Sequence, residues 1–185
     1  LEESTRTPKV LYVDGSKKHI DYGVLVMNFL PGEDLDYEKD LYIAANCLAD
    51  IHSVTLEEKS HLLCPNNPLQ AIIDECKTMV QTYYDSPLAD EMKKKQIQRM
   101  LNIGQEMIIN TGEYKGRRCI INTELNSSNF LINGEKEENY IIDWEKPIQG
   151  EPAQDLGHFL APTTTFWKTD IILSQEEIES FTKEY

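Results

Sequence analysis

Apolar positions fall into three regimes along the chain. At the start, "KVLYVD" and "YGVLVMNF" are short and rich in β-branched residues, and the polar turn "GSKKHID" separates them. That pattern predicts two antiparallel strands. Pro31-Gly32 in "LPGEDL" then breaks it. From Tyr37 to Ile51, apolar residues at Tyr37, Leu41, Ala44, Ala45, Leu48 and Ile51 follow helical spacing. A second helical stripe carries Leu69, Ile72, Ile73, Cys76, Val80, Tyr83 and Tyr84. A third, over about residues 89–109, turns Ile97, Met100, Leu101, Gly104 and Ile108 inward and Lys93, Lys94 and Lys95 to water. These stripes read as core rather than as a cofactor box. His52, closing the first helix, reads as a capping or packing residue. After Gly116 the period shortens to "CII", "FLI" and "YII", with Asn133-Gly134 as the turn signal between the last two. "SQEEIESFTKEY" predicts a final helix.

Composition adds mainly exclusions. The 185 residues are about one domain's worth, with 40% hydrophobic and 27% charged residues, as in soluble globular proteins. The longest apolar runs are too short to span a bilayer, and no signal peptide opens the chain. A net charge of -14 argues against a nucleic-acid partner, which needs a basic surface. A cationic small molecule remains compatible with it. Eight acids against one Lys lie between Glu33 and Glu58, read as a solvated surface. Cys47, Cys64, Cys76 and Cys119 are scattered, with no CxxC pair. They suit a reducing cytoplasm better than a zinc site or a disulfide framework.

The candidate chemistry lies in "INTELNSSNFLI", Ile121 to Ile132, and in "IIDWE", Ile141 to Glu145. Glu124 and Asn129 sit on the loop entering a short β-pair, and Asp143 sits at its exit. An antiparallel ribbon brings entry and exit together, so the three polar groups can share one pocket. Two carboxylates and an amide oxygen are hard ligands, suited to Mg2+ holding phosphates rather than to zinc.

The spacing Asn122-x-Glu124-x4-Asn129, followed 14 residues later by Asp143, resembles the catalytic loop and metal-binding Asp of the aminoglycoside phosphotransferase/choline kinase-like family. "VLVMNFLPGEDL" is similar to that family's interlobe hinge and "YIAANCLADIHS" to the helix after it. "IIDWEKPIQGEPAQDLGHFL" is similar to the stretch around its metal-binding Asp and Asp-Leu pair. The resemblance runs from about Pro8 to Phe159 and implies an α+β, protein-kinase-like fold. Residues 1–30 would be the last two antiparallel strands of the N-lobe with the hinge. Residues 31–185 would be a mainly helical C-lobe with a small β-pair at the site. It also implies a phosphotransferase using ATP, or another nucleoside triphosphate, with Mg2+. Glu124 would be the base, Asn122 would stand in the catalytic loop, and Asn129 and Asp143 would hold the metal. Met27, Asn28 and Leu30 would take the nucleotide base, and Asp155 would brace the catalytic loop.

Two positions depart from the family pattern: Glu124 stands where Asp is usual, and Asn122 where His is usual. Glu carries its oxygens about 1 Å farther from the backbone, a displacement that can cost roughly 100-fold in rate. The Gly-rich phosphate loop and the β-strand Lys with its Glu partner would precede Leu1, so the chain reads as a fragment. Three readings stay open: a small-molecule kinase, a kinase-fold protein that binds without catalysis, and an unrelated α+β domain whose polar loop is only a turn. For the first, the acceptor would be a small-molecule hydroxyl, on a cationic amine, amino sugar or amino-alcohol. "TTTFWKTD", Thr163 to Asp170, would either line its pocket or serve as core.

Overall fold

The computed structural model describes residues 1–56 and 60–185. The far end of the acidic stretch, Glu57 and Glu58, lies outside them, while Glu33, Asp34, Glu38 and Asp50 are solvent-exposed as a wet surface requires. Two opening strands form as the short β-branched runs predict. β1 (Val10–Asp14) pairs antiparallel with β2 (Val24–Met27), Val10 opposite Met27 and Asp14 opposite Val24, with a bulge after Val10.

The chain divides into two compact units, one built from residues 1–62 and 119–185, the other from 63–118. In the first, β3 (Glu33–Asp34) leads to α1 (Leu41–His52), which buries Ile43, Ala44, Ala45, Cys47, Leu48 and Ile51. The helix begins four residues after Tyr37, the start that the apolar spacing suggests. An intervening turn is held by the Asp36 N–H donating to the Asp40 carboxylate at 3.0 Å. Tyr37 is still core: it is buried, and its hydroxyl donates to the Phe159 carbonyl at 3.3 Å.

The second unit is a helical hairpin of α2 (Pro68–Tyr84) and α3 (Glu91–Thr111). Asn67 caps α2 by accepting from the Gln70 N–H, with Pro68 at the first helical position, and Asp90 caps α3 through the Lys93 N–H. The apolar stripes meet, and Gly104 lies so close to Ile73 that an added Cβ would come within 2.7 Å of its Cδ1. They are not the closed core that their period suggests. Apart from Pro68 both helices are at most half-buried, and Met100 is exposed at 71%. The contact between the two helices covers only part of each stripe.

Back in the first unit, β4 (Cys119–Ile121) pairs not with its sequence neighbours but with β7 (Ile148–Gly150). Between them in sequence, β5 (Phe130–Ile132) pairs with β6 (Tyr140–Ile141), as expected, and on its other edge with β3. α4 (Pro152–Leu160), α5 (Pro162–Thr169) and α6 (Gln175–Glu184) complete the unit, the last with Ser174 and Glu177 as a reciprocal cap. Phe159 is the hub of the core. Its ring packs against Tyr37, Phe130 and Phe181 at centroid distances of 5.1, 5.1 and 5.7 Å. No helix among the described residues is long and apolar enough to cross a membrane.

Candidate active site

The nested ribbons explain why the loop after β4 meets the segment after β6. The β4–β7 ladder fixes one end of both connections and the β5–β6 ladder the other, so residues 122–129 and 143–147 are held side by side. Asn122 ties them directly, its Nδ2 donating to the Asp143 carbonyl at 2.9 Å while its Oδ1 accepts the Glu124 N–H at 3.2 Å. The Ile142 N–H adds a bond to the Asn129 carbonyl at 2.8 Å. Thr123 and Asp143 both have positive φ, 81° and 63°. For a β-branched Thr this is an uncommon, costly conformation that the surrounding bonds must enforce.

Asp155, on α4, supplies that enforcement. Its fully buried carboxylate accepts the Asn122 and Thr123 N–H groups, each at 2.8 Å, and contacts His52 Nε2 at 3.2 Å. His52 Nδ1 meets the Tyr185 hydroxyl at 2.8 Å. The histidine is therefore a packing residue, but one that also joins α1 and α6 to the loop.

Glu124, Asn129 and Asp143 line one cavity of about 70 Å³, together with Asn122, Asn126, Glu145 and Lys146. A larger cleft of about 770 Å³ shares Asn126, Asn129, Asp143 and Glu145 with it and extends to Met27, Asn28, Phe29 and Leu30. Asn122, Glu124, Asn129, Asp143, Met27, Asn28 and Leu30 thus each border one of two adjoining spaces. Their states differ in detail from the simplest expectation. The Asn28 N–H is already bonded to the Lys9 carbonyl at 3.1 Å, so that segment would offer a base its remaining backbone groups. Asn129 turns its Oδ1 towards Asn126, accepting from the backbone N–H at 2.8 Å and from Nδ2 at 2.7 Å. Its own Nδ2 faces Asp143 Oδ2 at 3.5 Å, the limit of a hydrogen bond. Asp143 thus offers an exposed carboxylate to a cation, whereas Asn129 would have to release Asn126 first. No group of three or more His, Cys, Asp or Glu among the described residues is placed to hold a metal. A hard cation here would complete its shell from a ligand's phosphates and water, the usual habit of Mg2+, and Asp143 fits that role.

Several lining residues escape sequence reasoning. Lys146 Nζ lies 2.7 Å from Glu124 Oε1. Trp144 borders the cleft, its indole N–H donating to the Ile141 carbonyl at 2.8 Å. The "TTTFWKTD" stretch splits: Thr164 and Thr165 are buried, whereas Trp167 and Lys168 line the cleft. Lys168 Nζ lies 4.3 Å above the Trp167 ring and donates to Ser128 Oγ at 3.2 Å.

A family model described as "Phosphotransferase enzyme family" matches residues 1–179. The chain belongs to the phosphotransferase enzyme family. Solved structures agree with the placement of this phosphotransferase-family chain. A choline kinase from Cryptosporidium parvum matches with TM-score 0.71 and 13% identity, over 100% of this chain and 58% of that one. A choline/ethanolamine kinase family protein from Mesorhizobium loti gives 0.67 and 18%, over 100% and 56%. A spectinomycin phosphotransferase, in complex with ADP and spectinomycin, gives 0.67 and 15%, over 100% and 60%. At these identities the likeness shows the fold, which is the kinase-like α+β fold. The phosphotransferase-family chain spans between 56% and 60% of each. A search of curated proteins gave no match.

Proposed function

We propose that this chain is the hinge and C-lobe part of an ATP-dependent phosphotransferase acting on a hydroxyl of a small molecule. On this reading residues 1–30 are the N-lobe remnant and hinge, and residues 31–185 the C-lobe. The observation that carries it is the pairing of two spaces. The apolar cleft at Met27–Leu30 suits a flat base, and it opens onto a small polar cavity holding Glu124 and Asp143. The Asn28 carbonyl and the Leu30 backbone would meet the base edge. Mg2+, held by Asp143 and, after its amide reorients, by Asn129, would neutralise phosphate charge. Glu124 accepts the proton of the acceptor hydroxyl. The hydroxyl oxygen bonds to the terminal phosphorus, the bond from that phosphorus to its bridging oxygen breaks, and ADP leaves. Little covalent work is asked of the protein; positioning and charge dominate. The four free cysteines and the use of ATP support a cytoplasmic setting. A cationic amine, amino sugar or amino-alcohol is the acceptor class that suits the acidic chain. The second reading, binding without transfer, draws on the Asn129 oxygen being held by Asn126.

Asp143→Asn tests the metal role. Asn tolerates positive φ as Asp does, so the variant should melt near wild type, while calorimetry should show Mg2+-dependent ATP affinity falling about 10-fold or more. Unchanged affinity in a folded variant removes Asp143 from that role. Glu124→Gln should keep nucleotide affinity and lower acceptor phosphorylation by roughly 100- to 10,000-fold. Equal rates in wild type, Glu124→Gln and Glu124→Asp would leave the binding reading ahead.

A further inference from the structure

We propose that α3 is a dimer interface, its outer face pairing antiparallel with α3 of a second copy of this chain. The inference is independent of the phosphotransferase reading and draws on the second unit alone. α3 is 21 residues long, or three heptads. One flank belongs to α2: Ile97, Leu101, Gly104 and Ile108 are half-buried, with Gly104 against Ile73. Beside that flank runs a second stripe at Gln96, Met100, Ile103, Met107 and Asn110, alternately four and three residues apart. That is the seam spacing of a coiled coil. All five are exposed, Met100 at 71% and Met107 at 64%. Exposed apolar residues scattered singly are ordinary. Three in consecutive seam positions mark a contact face.

Charge identifies the occupant and its direction. Arg99 and Glu106 border the seam on the side away from α2. Both are exposed, and neither has a hydrogen-bond or ion-pair partner among the described residues. In an antiparallel pair of identical helices, like flanks meet. With Met100 of one copy over Ile103 of the other, Arg99 faces Glu106 of the second copy, and the twofold axis repeats the contact. A parallel pair sets opposite flanks together instead. Arg99 would then face Gly104 of the second copy and Glu106 would face Thr111, leaving both charges without partners. The face is therefore complementary to itself, in seam and in charge, in the antiparallel arrangement. Exposed ion pairs add little affinity, but they fix orientation and register. Both α2 helices then lie on one side of the α3 pair, the layout of a four-helix bundle.

Sedimentation velocity of the full-length protein over a concentration series tests this. Wild type should be mostly dimer at about 0.1 mM, which needs only micromolar affinity. Arg99→Glu and Glu106→Arg should each weaken the dimer about 10-fold or more, because like charges replace both pairs. Mixing the two variants should restore wild-type affinity, since a copy with two acids then meets a copy with two bases. Circular dichroism should be unchanged, because both side chains are exposed. A monomeric wild type, a dimer indifferent to both reversals, or a mixture no tighter than its components would each overturn the proposal. A monomer whose Met100 and Met107 resist peroxide oxidation would give the face to a different occupant and overturn it too.

Discussion

Asp155 shows how much one side chain can fix. It is fully buried, yet it faces two backbone N–H groups and a histidine ring nitrogen. Replacing it by Asn keeps the shape but turns an amide NH2 towards groups that also donate. Asp155→Asn should therefore cost roughly 2–4 kcal/mol in urea unfolding, since buried donors are left unpaired. A loss under about 0.5 kcal/mol would mean the loop holds itself. Asn122 is as instructive. It stands where the resemblance expects His, and its amide both donates to the Asp143 carbonyl and accepts from the Glu124 N–H. At this scale the sequence was informative wherever a residue type was unusual for its place. Glu124, Asn129 and Asp143 stood out because polar groups bracketed apolar runs. Lys146 did not, because a lysine beside Glu145 in a loop is, by pattern alone, a solvated lysine.

Among elements, periodicity was a good guide where an element is long and a poor one where it is short. α1, α2 and α3 repeat their spacing over several turns, so each lies within a few residues of its reading. β3 has two residues, and β4 pairs with a partner strand far along the chain. No local pattern encodes such a ladder. α4 and α5 begin at prolines after short breaks, and the Thr run in α5 has weak helix propensity, which hid both. Gly32 links the legible and the hidden parts. "LPG" reads as a break, but the reason for glycine lies in pairing. Its φ is 146°, and a Cβ there would meet Leu131 Cβ at 2.7 Å and the Leu131 carbonyl carbon at 2.8 Å. Gly32→Ala should therefore destabilise by roughly 2–4 kcal/mol, from backbone strain and overpacking combined. A melting temperature within about 1 °C of wild type would show that β3 can move away from β5 without loss.

For the whole molecule, stability is distributed unevenly. The β1–β2 ribbon exposes apolar side chains on both faces, Leu11 and Val13 at 65% and Tyr12 at 55%. A two-stranded ribbon without a covering layer is marginal in water. In this 185-residue chain its amides should exchange with deuterium at least about 100-fold faster than those of α1, whose apolar face is buried. Equal protection would mean the ribbon is stabilised by contacts beyond its own ladder. The division into units has a consequence for synthesis. Residues 63–118 form one compact unit around the α2–α3 hairpin. The site-bearing unit draws on distant segments: Tyr37 and Phe130 wait for Phe159, and Phe159 packs on Phe181, near the end. During synthesis residues 63–118 have emerged before Phe159, whereas α1 must wait for it. A nascent chain that has not yet released Phe159 therefore holds α1 with its apolar face bare. That face cannot be buried before Phe159 and α6 have emerged, because long-range contacts cannot form before both partners exist.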